Sequence, residues 1–122
     1  MQKYVYIAGP YTGQHHDWRS YFEIDRNINR ALEAAADLAR AGIGFFCQHG
    51  HSAHVEVITP EVKSDYWYEL DVHFLEACDA LLLLPHWETS KGSKAERLIA
   101  LRAGKPIFGS VNEVIDWANE AP

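Results

Sequence analysis

The sequence predicts an α/β domain in three layers, flavodoxin-like or Rossmann-like, on a mostly parallel sheet of four or five strands. Three observations carry this expectation. Residues 3–8, 43–47 and 80–84 are short, nearly continuous apolar runs, as strands covered on both faces must be. Helical periodicity fills the stretch between the first two runs, giving a strand–helix–strand unit whose crossover should be right-handed. Glycine and proline follow the first and third runs, where the chain has to turn. The expected strand order is 2-1-3-4.

The first strand, 3–8, is β-rich and apolar after Lys3. Gly9-Pro10-Tyr11-Thr12-Gly13 is turn chemistry, and a polar segment with His15, His16, Asp17 and Arg19 runs to about Ser20. Ligands of open α/β sheets bind beyond the carboxyl ends of the strands, so this loop should wall a site. Ile24, Ile28, Ala31, Leu32, Ala35, Leu38 and Ala39 recur at helical spacing, with Asp25, Arg26, Arg30, Glu33 and Asp37 largely off that stripe. They predict an amphipathic helix ending near Ala41-Gly42, followed by a second buried strand, 43–47.

Residues 48–63 read as the longest irregular stretch and hold His49, His51 and His54. Zinc is one reading of such a loop, but no second cluster of Cys or His completes four ligands and the spacing fits none of the usual patterns. Contact with a substrate, or plain solvation, are the readings left. Ser64 reads as the N-cap of a helix from Asp65 to Ala77 with Trp67, Leu70, Phe74 and Ala77 as its apolar stripe. Asp71 lies on the same side. A carboxylate there either sits at a polar rim or has its pKa raised toward neutrality. Asp79 opens the third strand, 80–84, and Pro85 to Thr89 form a loop. A short fourth strand, 105–108, precedes a last helix from Glu113 to Asn119 capped by Asn112.

Ser90-Lys91-Gly92-Ser93-Lys94-Ala95-Glu96 joins the third strand to a helix carrying Leu98, Ile99 and Leu101. At such a junction the unpaired backbone N–H groups and the helix dipole attract anions. Gly92 admits a ligand close to the backbone, a serine can add a hydroxyl, and Lys91 and Lys94 add charge. Glu96 is expected in the first turn, where the dipole favours the ionised form a nucleophile needs. The alternative is purely local: Ser93 as N-cap, Glu96 as its capping-box partner, and the lysines solvated.

At 122 residues the chain reads as one domain, 1–122, without repeat or linker. A net charge of −6 argues against broad binding to nucleic acid or acidic membrane, while leaving a small anion allowed. No basic leader or membrane-length apolar run is present, so a cytoplasmic, non-membrane protein is expected. Cys47 and Cys78, each in an apolar stretch, read as buried free thiols. No metal or organic cofactor is called for.

Three pieces stand in fixed order: Tyr6-Ile7-Ala8-Gly9-Pro10, then Asp71 with Cys78-Asp79-Ala80, then Ser90-Lys91-Gly92 with Glu96. Over residues 3 to about 108 this resembles the nucleoside 2-deoxyribosyltransferase family and its relatives, the 2'-deoxynucleoside 5'-phosphate N-hydrolases, in particular short bacterial and phage members. The resemblance implies that Glu96 attacks C1' of a sugar, that Tyr6 orients it, and that Asp71 helps protonate the departing base. It places Ser90 on a 5'-phosphate, next to Lys91 and Gly92 of the anion-attracting junction, and Gly9, Thr12 and Gly13 around sugar and phosphate. His49 or His51 would contact substrate. Trp67, Tyr68 and Trp87 are candidates for stacking on a base. A homodimer or higher homo-oligomer acting on a small nucleoside or nucleotide is implied. The lysine pair favours a phosphorylated substrate, and Gly109-Ser110-Val111-Asn112 lacks the transferases' carboxyl-terminal pattern, so hydrolysis is expected over transfer. A non-catalytic nucleotide-sensing module is the alternative from another class.

Overall fold

The computed structural model describes residues 2–120. Strands β1 (Tyr4–Ala8), β2 (Gly44–Cys47), β3 (Ala80–Leu83) and β4 (Ile107–Phe108) form one sheet in the order β2-β1-β3-β4. All three pairings are parallel, and Tyr6 is flanked by Phe46 on one side and Leu81 on the other. The helices are α1 (Arg19–Arg40), α2 (Gln48–His51), α3 (Val55–Ile58), α4 (Ser64–Ala77), α5 (Lys91–Arg102) and α6 (Val111–Ala118), with a 3-10 turn at Trp87–Thr89. None of the described helices is long and apolar enough to cross a membrane.

Alternation along β1 divides the core in two. Val5 and Ile7 point to one face with Ala31, Ala35 and Leu38 of α1 and Val114 of α6. Tyr6 and Ala8 point to the other, with Leu75 of α4 and Ala100 of α5. Successive strand residues face opposite sides, so two layers of helix are each fed by every second side chain. Cys47 and Cys78 are buried and unpaired.

Several local expectations are corrected. Residues 48–63 are only partly irregular, because α2 and α3 occupy half of them, joined through 52–54 with His54 in the left-handed region at φ 62°. Ser64 lies inside α4, and Lys63 precedes it without a side-chain cap. The buried residue of α4 is Leu75, whereas Ala77 is exposed and Trp67, Leu70 and Phe74 are half-buried. Helix α4 therefore meets the sheet chiefly near its carboxyl end, and its opening turns are left to border a cleft. Ser110, not Asn112, caps α6, its Oγ accepting the Glu113 N–H at 3.2 Å.

Gly9 has a packing reason. A Cβ there would lie 2.9 Å from both Cβ and Cδ1 of Leu84, so the chain leaving β1 passes too close to the end of β3 for any side chain.

Candidate active site at the carboxyl ends of the strands

From β1 the chain crosses to β2 through α1 on one face, while β3 is followed by α5 on the other. Neighbouring strands β1 and β3 thus send their connections to opposite sides, and the crevice this opens is where ligands of open α/β sheets bind.

Helix α5 positions the first carboxyl. Ser90 is its N-cap, with Oγ accepting the Ser93 N–H at 3.1 Å. Neither expected placement of Glu96 holds: Ser93 is not the cap, and Glu96 is the sixth helical residue, beyond the first turn. The dipole fades within that turn, so burial decides the charge state. Glu96 is only 3% exposed, and neither carboxyl oxygen has a hydrogen-bond partner among the described residues. Burial pushes its pKa up to about 8; the Tyr6 hydroxyl opposes the rise and the Asp71 charge adds to it. The expected standing ionisation is thereby overturned.

The second carboxyl, Asp71, projects from α4, and burial raises it to about 6. Gln48, Ser64, Tyr68, Asp71, Gly92 and Glu96 line one cavity of about 260 Å³. An adjoining cavity of about 400 Å³ shares Gln48, Ser64 and Asp71 and continues to Tyr11, Thr12 and Trp67. Aromatic walls and a few convergent polar groups are the usual make-up of a small-molecule site.

Beneath this cleft the Tyr6 ring is wholly buried, and its hydroxyl donates to Gln48 Oε1 at 3.2 Å. Burial, then the neighbouring Glu96 and Asp71 carboxyls, push the phenol far above its ordinary range, so it remains a proton donor. That bond fixes the Gln48 amide oxygen and leaves its NH₂ for other partners. Gln48 was missed in the sequence, although it is the first residue beyond β2, where a ligand contact belongs. An amide carries no titration signature to draw attention. Tyr11 was missed as well: its hydroxyl donates to Glu56 Oε1 at 2.7 Å and accepts the His54 N–H at 2.9 Å, tying the first loop to α3.

The structure thus brings together Glu96, Asp71, Gly92 and, through Gln48, Tyr6, with Thr12 in the adjoining space. Ser90 and Lys91 do not line this cleft; Ser90 is engaged as a cap and Lys91 is exposed. His49 is fully buried, with Nε2 2.9 Å from the Pro10 carbonyl. A carbonyl only accepts, so Nε2 carries the proton; burial lowers the ring's pKa and keeps it neutral. His49 therefore anchors the first loop through Pro10. Gly13 packs directly against the Glu23 side chain, which leaves no room for a Cβ. Trp87 is half-buried under Arg97, whose guanidinium lies 5.3 Å from the ring centroid. Among the described residues no group of three His, Cys, Asp or Glu is gathered as a metal-ligand set.

Fold and cleft define an α/β domain with a parallel four-stranded sheet and two carboxyls in one cavity beyond its strands. The chain belongs to the family described as a domain of unknown function (DUF4406), whose model matches residues 3–109. No curated protein matches its sequence.

Proposed function

We propose that this chain hydrolyses the N-glycosidic bond of a nucleoside 5'-monophosphate through a covalent ester on Glu96, within a flavodoxin-like domain. The observation that carries the reading is the shared cavity of Glu96 and Asp71, with both carboxyls raised toward neutrality. Cleaving a base from a sugar passes through an oxocarbenium-like state, which needs a carboxylate at C1' and an acid at the leaving nitrogen. Two carboxyls whose surroundings separate their pKa values are suited to dividing those roles.

The proton has to move for the roles to be met. With Asp71 at about 6 and Glu96 at about 8, the pair holds one proton near neutrality, and it rests on Glu96. Positive charge growing at C1' favours the Glu96 carboxylate and moves the proton toward Asp71 and the base. The Glu96 oxygen then bonds to C1', the C–N electron pair leaves on the base, and Asp71 supplies its proton. Water attacks C1' of the glycosyl ester, frees Glu96 and returns a proton to the pair. Tyr6, hydrogen-bonded to Gln48, holds the floor of the site.

Transfer of deoxyribose to a second base would differ only in what resolves the ester, and a sensing module would bind without turnover. Chromatography of free base released from ribo- and deoxyribonucleoside 5'-monophosphates, with wild type and Glu96→Ala in parallel, tests the reading. Release by wild type alone supports hydrolysis. Release only when an acceptor base is added indicates transfer, and tight binding with no release from any substrate overturns both.

A further inference from the structure

On the other face of the same sheet edge lies a crevice of about 320 Å³ that the proposed chemistry does not use. It is framed by the first loop, by α1 and by the turn after β3, with Thr12, Gln14, Arg26, Arg30, His86 and Thr89 in its lining. It therefore occupies the opening between the diverging connections of β1 and β3, on the α1 side.

Arg26 and Arg30 stand one helical turn apart, neighbours on the helix surface. Among the described residues neither makes an ion pair or a side-chain hydrogen bond. The crevice also contains Glu23, but its oxygens accept the Gln14 N–H at 2.9 Å, the His15 N–H at 3.0 Å and His15 Nδ1 at 2.8 Å. That carboxylate serves the loop, so two guanidinium groups against one committed carboxylate leave the lining net positive. Thr89 Oγ1 donates to the His86 carbonyl at 2.7 Å, closing the far wall.

We propose that this crevice binds a phosphoryl group, with Arg26 and Arg30 as its cations. A guanidinium presents a planar fork of donors matched to phosphate oxygens, and two forks a turn apart can hold a tetrahedral dianion from two sides. Gln14 and Thr12 supply further polar groups at the rim. The site is distinct from the Ser90-Lys91-Gly92 segment and does not depend on Glu96 being a nucleophile. Thr12 also borders the cavity that holds Asp71 and Trp67, so a phosphate ester seated here can reach over the sheet edge toward the carboxyls. The phosphoryl group belongs either to the substrate itself or to a separate phosphate compound.

Calorimetric titration with orthophosphate and with deoxyadenosine 5'-monophosphate tests this on wild type, an Arg26→Gln, Arg30→Gln double variant and a Lys91→Gln, Lys94→Gln control. Circular dichroism and melting curves confirm that each is folded. The arginine variant should lose about tenfold or more in affinity for orthophosphate, and for the nucleotide as well where the two probes compete, and the lysine control less than about twofold. Unchanged affinity in the folded arginine variant, a loss confined to the lysine variant, or no binding of either probe to wild type would overturn the proposal. Competition between the two probes assigns the site to the substrate's own phosphate; simultaneous binding assigns it to a separate phosphate compound. Base release is measured separately: its absence beside an arginine-dependent binding loss would remove the glycosidase reading and leave this site standing.

Discussion

Glu96 of α5 and Asp71 of α4 line a single cavity, and between them hold one proton near neutral pH, with Glu96 raised to about 8 and Asp71 to about 6. Each gains its shift chiefly from burial. The proposed chemistry needs the pair in this singly protonated form, since one carboxyl must attack while the other donates.

The rate should therefore be bell-shaped in pH. Below about 6 the second carboxyl takes up a proton and no nucleophile remains; above about 8 the last proton leaves and no acid remains. Both limbs belong to the pair. A kcat/KM profile for base release that is flat from pH 5 to 9 would rule out this assignment.

Glu96→Gln should stabilise the folded protein as pH rises. The carboxyl titrates at its ordinary 4.5 in the unfolded chain and at about 8 in the folded one. At low pH both states hold the proton; between these values the unfolded chain releases it first, so wild-type stability declines and then levels off above 8. The glutamine cannot ionise. Its advantage should grow across that window by roughly 4–5 kcal/mol at pH 8.5, read from denaturant melts at several pH values. An advantage independent of pH would contradict a raised Glu96 pKa.

Tyr6→Phe removes the donor to Gln48 and the hydroxyl that opposes the rise in the Glu96 pKa. A stability loss of about 1 kcal/mol is expected for the lost hydrogen bond. The alkaline limb of the rate profile should move upward, because Glu96 loses a group that favours its ionised form. A limb that stays in place would separate Tyr6 from the carboxyl.

Gly9→Ala should destabilise by about 1–3 kcal/mol, since its Cβ would meet Leu84 at 2.9 Å where β1 and β3 are already close. Thermal melting checks this directly. A melting temperature equal to wild type would show that Leu84 yields freely.

Much of the architecture was legible because the strands are short apolar runs and α1 has a broad stripe, and such patterns survive whatever the tertiary context adds. The fourth strand is shorter than expected, and the caps at Ser90 and Ser110 were misplaced onto Ser93 and Asn112. Several residues near each boundary carry capping chemistry, and only the path of the chain selects one.

By itself the sequence determined the order of the four strands and the four longer helices, the parallel sheet and the buried cysteines, and it singled out Glu96 and Asp71. Only the tertiary structure decided what surrounds them. Glu96 sits in the second turn and faces inward, so burial outweighs the helix dipole and leaves it protonated where the sequence suggested an anion. His49 became an anchor for Pro10, Gln48 became part of the cleft, and Arg26 and Arg30 came to line a crevice with a loop distant from them in the chain. Charge state and partnership depend on desolvation and on groups brought together across long sequence separations, and a linear pattern encodes neither.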